Sequence, residues 1–438
     1  MKSDHSLAEI PGSPAPINSS KPESFQPQPN HKHRKVLTPL GLPEFVILFA
    51  LITSLTALSI DAMLPALPQI GRDLGVVDPR NNQLIITLFI FGMVFGDLLG
   101  GPISDAIGRK PAILLGIFIY LAGTVVAMTA QSFELLLLGR VIQGIGTGGP
   151  KIASRALVRD QYEGAAMARV MSLIMMIFIL VPMVAPAFGQ LVLAFGQWRE
   201  IFLSFLLLAS IAGGWLWLRQ PETLPQQARL AFSPAKLVRS TGRIIQSRSI
   251  MAYSLAAGLM FGALLVYVST SQAIFHDIYH TGDAFAFYFA ILASSIAVSS
   301  LLNSAMVMRY GMHRLVVIAL TGMTGFAGLL FAVAQPYEGI PPFAAFMVIG
   351  FLLFFCVGIL FGNINAMAMQ SLGKMAGLGA SVIASISSLV AVVVSIGIGR
   401  LYDGTVMHIV IAMGGCGLLS LALVIIAKHS KTDTLQPA

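Results

Sequence analysis

Charge is scarce in this 438-residue chain: Asp, Glu, Lys and Arg make up 11% of it, against about 25% in soluble globular proteins. With 56% hydrophobic residues, too few polar groups remain to cover a water-facing surface. Cysteine is also scarce. Cys356 and Cys416 both sit inside apolar runs, so they read as small core residues, and no disulfide or metal site is inferred. Alternation with a period of two is missing, which argues against a membrane β-barrel. H-E-x-x-H and G-x-S-x-G are absent, which speaks against an intramembrane zinc or serine enzyme. There is no Walker A segment for an ATP-driven pump, and no repeated filter or ring of charges for a channel.

Long apolar runs are abundant. Each is about 20 residues or more, enough to cross a bilayer core as a helix. Twelve spans are expected, at 43–67, 82–101, 111–131, 134–157, 167–194, 199–219, 250–275, 284–307, 314–334, 342–367, 377–401 and 405–427. A longer connection over 220–249, with Pro221, Pro225 and Pro234, divides them six and six. The expected fold is an all-α integral membrane protein with a six-helix bundle over 41–219 and a second over 250–428. Residues 1–40 are rich in Pro, Ser, Asn and Gln and read as a disordered cytoplasmic tail; 429–438 form a second tail. No signal-peptide core precedes the first span, so that span is expected to be retained.

The net charge of +8 does not indicate nucleic acid, because the basic residues lie between apolar runs and read as topology signals. With the N-terminus in the cytoplasm, the outside loops hold only Arg72, Arg80 and Arg199. Both termini are therefore expected inside.

Ionisable groups within spans are costly and informative. Of 19 acidic residues, only Asp61 and Asp97 lie well inside spans. Arg140 is the clear intramembrane cation; Lys151 is nearer the inner surface, where its stem could snorkel. By helical rise, Asp61 and Arg140 each lie about 10 Å below the outer surface. A carboxylate beside a fixed cation can load and release a proton, as a proton-coupled carrier requires. The alternative is a static ion pair that sets helix register. Asp97, near the inner end of span two, suits a gate or packing role and is a second proton candidate. Arg140, Gln143, Gly144, Thr147 and Lys151 fall near one face of span four, and its repeated glycines permit close helix approach.

Gly101–Ile113 reads GPISDAIGRKPAI, and Ser304–Val316 reads SAMVMRYGMHRLV. Gly108 and Gly311 sit at matching points, an echo that fits two halves related by duplication.

At these residues the chain resembles the major facilitator superfamily, and within it the drug:H⁺ antiporters of the bicyclomycin-resistance (Bcr/CflA) group. Leu58–Pro68, LSIDAMLPALP, resembles that group's first-helix signature; Gly101–Lys110 resembles the superfamily's loop between helices two and three; Leu138–Gly144, LGRVIQG, resembles the fourth-helix motif of proton-driven members. Arg155–Asp160 and Trp198–Phe202 are similar to further segments of the group. Ala106 departs from the usual basic residue, Asp97 from a polar uncharged one, and Ala185–Gln190 matches the fifth-helix antiporter motif only in part. The resemblance implies proton-coupled efflux through two pseudo-symmetric six-helix bundles in the bacterial inner membrane. It implies H⁺ as coupling ion, no cofactor, and a lipid-embedded monomer. It assigns proton coupling to Asp61, Arg140 and Asp97, with Gln143 and Gly144 in the fourth-helix motif. Gating goes to Gly101, Asp105, Gly108 and Arg109, with Gly101, Pro102 and Gly108 making the turn.

Substrate should bind near the midplane between the halves. Tyr267, Asn303, Asn363, Asn365 and the methionines around Met175 are candidates, since Met-rich walls adapt to varied shapes. An exporter or importer of one metabolite, such as a sugar or amino-acid derivative, would use the same spans.

Overall fold

Each of the twelve apolar runs forms a helix. In chain order these are α1 (Leu42–Asp61), α2 (Leu84–Ile107), α3 (Arg109–Met128), α4 (Phe133–Gln161), α5 (Gly164–Phe195), α6 (Trp198–Arg219), α7 (Arg248–Ala273), α8 (Phe285–Tyr310), α9 (Met312–Ala334), α10 (Phe343–Gln370), α11 (Ala376–Gly399) and α12 (Met407–Lys428). They belong to a computed structural model that describes residues 40–370, 372 and 376–429. The expected tails over 1–40 and 429–438 lie, apart from Leu40 and His429, outside the described residues. No strand occurs among the described residues.

Eleven of these helices are long and apolar enough to cross a membrane. The exception is α4, which is long enough but carries Arg140, Gln143, Lys151, Arg155 and Arg159. Burial makes its polarity tolerable. It packs along both α2 and α3, and Arg140 and Gln143 are fully enclosed. Glycine allows this. A Cβ on Gly144 would strike the Phe89 carbonyl of α2, one on Gly148 the Gly96–Asp97 backbone, and one on Gly146 the Tyr120 backbone of α3.

Among the last six helices, α7 packs against α10, α11 and α12, while α10 packs against α8 and α9. Between the two sets of six, α2 meets α11 and α5 meets α8. Ser385 Oγ of α11 donates to the Val94 carbonyl of α2 at 2.7 Å, and Gln83 Nε2 donates to the Gly399 carbonyl at 3.2 Å. The described residues form one compact unit.

The expected loop over 101–110 is mostly helix. α2 runs through Gly101 and Pro102 to Ile107, and only Gly108 turns the chain. Its φ of 109° suits glycine alone, so α3 can begin at the next residue. Gly311 repeats the device between α8 and α9 with φ 79°. Gly101 instead serves packing, with Ser381 Oγ of α11 against the place a Cβ would occupy.

Candidate functional site

Asp61 is the last residue of α1. Pro65 and Pro68 follow, and the chain continues as a short 3-10 turn, Leu64–Ala66, and a seven-residue helix, Leu67–Asp73. Gly189 of α5 packs on the Ala62 carbonyl and the Pro65 ring, directly after Asp61 in the chain. Asp61 is 6% exposed, and its carboxylate has no hydrogen-bond or ion-pair partner among the described residues.

The expected pairing of Asp61 with Arg140 does not form. Arg140 Nη2 donates to the Ser59 carbonyl at 2.9 Å, Nε to the Ile85 carbonyl at 2.8 Å, and Nη1 to Gln143 Oε1 at 2.6 Å. The reason lies in where α1 ends. Ser59 is in the last turn, whose carbonyls have no intrahelical donor, and a cation there is favoured by the helix dipole. The guanidinium also sits 4.5 Å from the Phe89 ring centroid. Gln143 Nε2 passes the network on to Thr124 Oγ1 at 2.8 Å, and Tyr120 OH lies 2.6 Å from Ser59 Oγ. One arginine thus ties α1, α2 and α4 together two residues before Asp61.

Asp97 is fully buried and paired, with Oδ2 2.6 Å from Lys151 Nζ. This corrects one expectation: the Lys151 stem does not carry its ammonium away to the inner surface but turns it onto Asp97. Gly148 brings the α4 backbone against that of Asp97, which sets the two turns level.

At the α2–α3 turn, Arg109 is the hub. Its Nε donates to Asp160 Oδ2 and its Nη1 to Ser104 Oγ, each at 3.0 Å, and Nη1 also bonds Asp105. Asp105 pairs with Arg109 but does not cap α3. That task falls to Glu222, just past α6, whose carboxylate accepts from the Arg109 and Lys110 backbone N–H groups at 3.0 and 3.1 Å. Lys110 Nζ reaches the Trp217 carbonyl near the end of α6 at 2.7 Å. Glu44 of α1 accepts from Trp215 Nε1 and Arg219 Nε of α6, both at 3.0 Å.

The substrate-side candidates are not brought together equally. Tyr267 is buried against Phe354 and Phe289, at 4.5 and 5.9 Å between centroids, and its hydroxyl has no partner. Asn363 is buried and occupied. Its Nδ2 donates to Asn303 Oδ1 at 2.7 Å, so the two amides clasp α8 to α10. Asn365 turns back to the Phe361 carbonyl of its own helix at 2.8 Å. Met175 is exposed on α5.

A family model described as the Major Facilitator Superfamily matches residues 49–395. The chain belongs to the major facilitator superfamily. It is therefore a multi-pass membrane transporter and not an enzyme. It is 28% identical over 381 residues to the bicyclomycin resistance protein homolog of Haemophilus influenzae, covering 86% of this chain and 94% of the relative. It is 29% identical over 411 residues to the uncharacterised MFS-type transporter YdgK of Bacillus subtilis, covering 90% and 99%. Multidrug resistance protein D of Escherichia coli is 29% identical over 239 residues, covering 52% and 60%. Among solved structures, the partially occluded inward-open xylose transporter XylE of E. coli superposes with a TM-score of 0.68 at 12% identity, over 91% of this chain and 99% of that one. The human organic anion transporter MFSD10 gives 0.64 at 18%, over 89% and 99%. At such identities these two support the superfamily fold alone.

Proposed function

We propose that this transporter exports small lipophilic or cationic compounds in exchange for protons, by alternating access across a bacterial inner membrane, with both termini in the cytoplasm. Asp61 carries the reading. A nearly buried carboxylate without protein donors is costly to keep ionised. It is neutral while it holds a proton, and it attracts a cation once the proton leaves. Proton and solute then compete for one group, and such exclusion is the basis of antiport. Arg140 sets the end of α1 that presents Asp61. The names of the relatives, bicyclomycin and multidrug resistance, point the same way.

The proton is the coupling ion and no cofactor is needed. The two sets of six helices act as bundles that rock about the midplane, in a monomer. Tyr267, with Phe289 and Phe354, offers an aromatic surface with a free hydroxyl, and Met175 an adaptable one. Asn363 acts through its clasp with Asn303 on α8, and Asn365 is left as a further polar group for solute on α10.

Purified protein in sealed liposomes, with an imposed pH gradient and ethidium as probe, tests the reading. The wild type accumulates ethidium against its gradient. Asp61→Asn loses gradient-driven accumulation by about 100-fold while still exchanging ethidium at equal pH. Accumulation by Asp61→Asn moves the proton site to Asp97. No proton flux tied to solute in the wild type ends the antiport reading. A panel of lipophilic cations, sugars and amino-acid derivatives separates broad efflux from a single-metabolite exporter, which would accept one compound only.

A further inference from the structure

Half of the Asp97 carboxylate is unused. Oδ2 meets Lys151 Nζ, but Oδ1 is enclosed and accepts no hydrogen bond. Buried carboxylate oxygens rarely go without a donor. Two more orphans lie within a turn of the pair. Ser381 Oγ of α11 rests against Gly101, one turn along α2 from Asp97, and has no partner. Ser154 Oγ, one turn beyond Lys151 on α4, is also buried and unpartnered. Polar capacity therefore gathers here on three helices beyond what the protein itself satisfies.

The two members of the pair differ in access. The Asp97 side chain is 0% exposed, and that of Lys151 is 22% exposed. The ammonium rides on a flexible four-carbon stem and can swing outward, whereas the Asp97 turn is pinned by the Gly148 backbone. We propose that Asp97 is a second cation subsite and that Lys151 is its tethered occupant, displaced when the ammonium-type group of a solute enters. The exchange leaves the buried charge unchanged, since one cation replaces another beside the same carboxylate. Oδ1 and the two serine hydroxyls then supply the polar contacts that a lysine held from one side leaves unmet. This subsite rests on the exporter reading above and assigns to it a second contact for cationic solutes, apart from Asp61.

The test uses trimethylammonium and triethylammonium, each with one N–H donor and no amine that can be acetylated to an amide, as probes on the detergent-solubilised transporter. In wild type, probe binding frees Lys151, and its labelling by an acetylating reagent, read by mass spectrometry, rises several-fold. Unchanged labelling with both probes overturns the proposal. Lys151→Gln removes the tethered cation while Arg155, the other cation that interacts with Asp97, stays in place, so the probes bind several-fold more tightly than to wild type. The gain disappears in Asp97→Asn/Lys151→Gln, and Lys151→Arg behaves as wild type. Equal affinity in all four proteins also overturns it. The two readings fail separately: wild-type liposomes that export ethidium while Lys151 stays unresponsive sink the subsite alone, and a responsive Lys151 without proton-driven export sinks the antiport reading alone.

Discussion

The turns at Gly108 and Gly311 are built alike and held differently. Each is a single glycine with positive φ that joins two helices without a loop. Around Gly108, Arg109 is 6% exposed and bonded to Asp105, Asp160 and Ser104, while Glu222 caps α3. Around Gly311, Arg309 and Arg314 are exposed, with no ion pair among the described residues, and a Cβ on Gly311 would meet nothing within 4 Å. The contrast extends to the helices. The first six enclose Asp61, Asp97, Arg140 and Gln143, and they are pressed together through glycine. The last six enclose serines, Asn363 and a cluster of rings around Phe275 that takes in Phe285, Tyr288, Phe343 and Phe346. The same fold thus buries carboxylates and an arginine in its first six helices, and rings, hydroxyls, an amide and His408 in its last six.

Glycine substitution breaks the comparison most severely. Gly148→Ala drives a methyl group into the Gly96–Asp97 backbone, where nothing flexible can yield. A loss of about 3 kcal/mol or more is expected, read as a large fall in melting temperature in detergent. Gly325→Ala in α9 meets open space and should be neutral or stabilising by about 0.5–1 kcal/mol. Equal effects at the two sites would remove the claim that the first six helices depend on backbone contact.

Arg140→Gln comes next. It leaves the Ser59 and Ile85 carbonyls without their charged donor and removes the cation from the end of α1. The expected cost is about 2–3 kcal/mol, with a shifted pH profile for ethidium transport because Asp61 is presented by the same turn. A pH profile unchanged from wild type would confine Arg140 to holding helices together.

These cases separate what the sequence reveals from what it conceals. Asp61, Asp97 and Arg140 stand out because a charge within an apolar run is costly. Their partners do not stand out. Equal depth suggested an Asp61–Arg140 pair, but α1 stops at Asp61, and the free Ser59 carbonyl captures the guanidinium. Lys151 meets Asp97 because the glycine contacts of Gly148 bring two particular turns level, which no spacing along one helix encodes. Glu222 gives less warning still. It caps a helix 113 residues earlier in the chain, and its only local signal is a carboxylate directly after the proline that follows α6. The α2–α3 turn is shorter than its sequence suggests: Gly101 and Pro102 read as loop residues, whereas a membrane helix tolerates proline when its neighbours absorb the irregularity.

Glu222→Gln sharpens the contrast between the two turns. The amide keeps one acceptor oxygen but loses the charge facing the start of α3, so about 1 kcal/mol of capping is expected to go. If the latch holds that end of the transporter closed, the variant also spends more time open there, and a cysteine introduced at Ser381, buried against Gly101 and outside the latch, becomes more reactive to a soluble maleimide. Arg314→Gln, beside the unlatched turn, should change neither stability nor labelling.

The smallest effect belongs to the amide clasp between α8 and α10. Asn303→Ala and Asn363→Ala each remove one side of the pair, and a double-mutant cycle should return a coupling of about 0.6 kcal/mol, typical of polar contacts inside membranes. Its value lies in its sign for function. Asn363 spends its donors on Asn303 and on the Ile359 carbonyl, so as a packing residue it leaves little for a solute. Both single variants should then lower stability alike and leave the KM for ethidium unchanged. A KM that rises for Asn363→Ala alone would mean the clasp opens to bind cargo, and the last six helices would carry specific recognition in place of a merely adaptable surface.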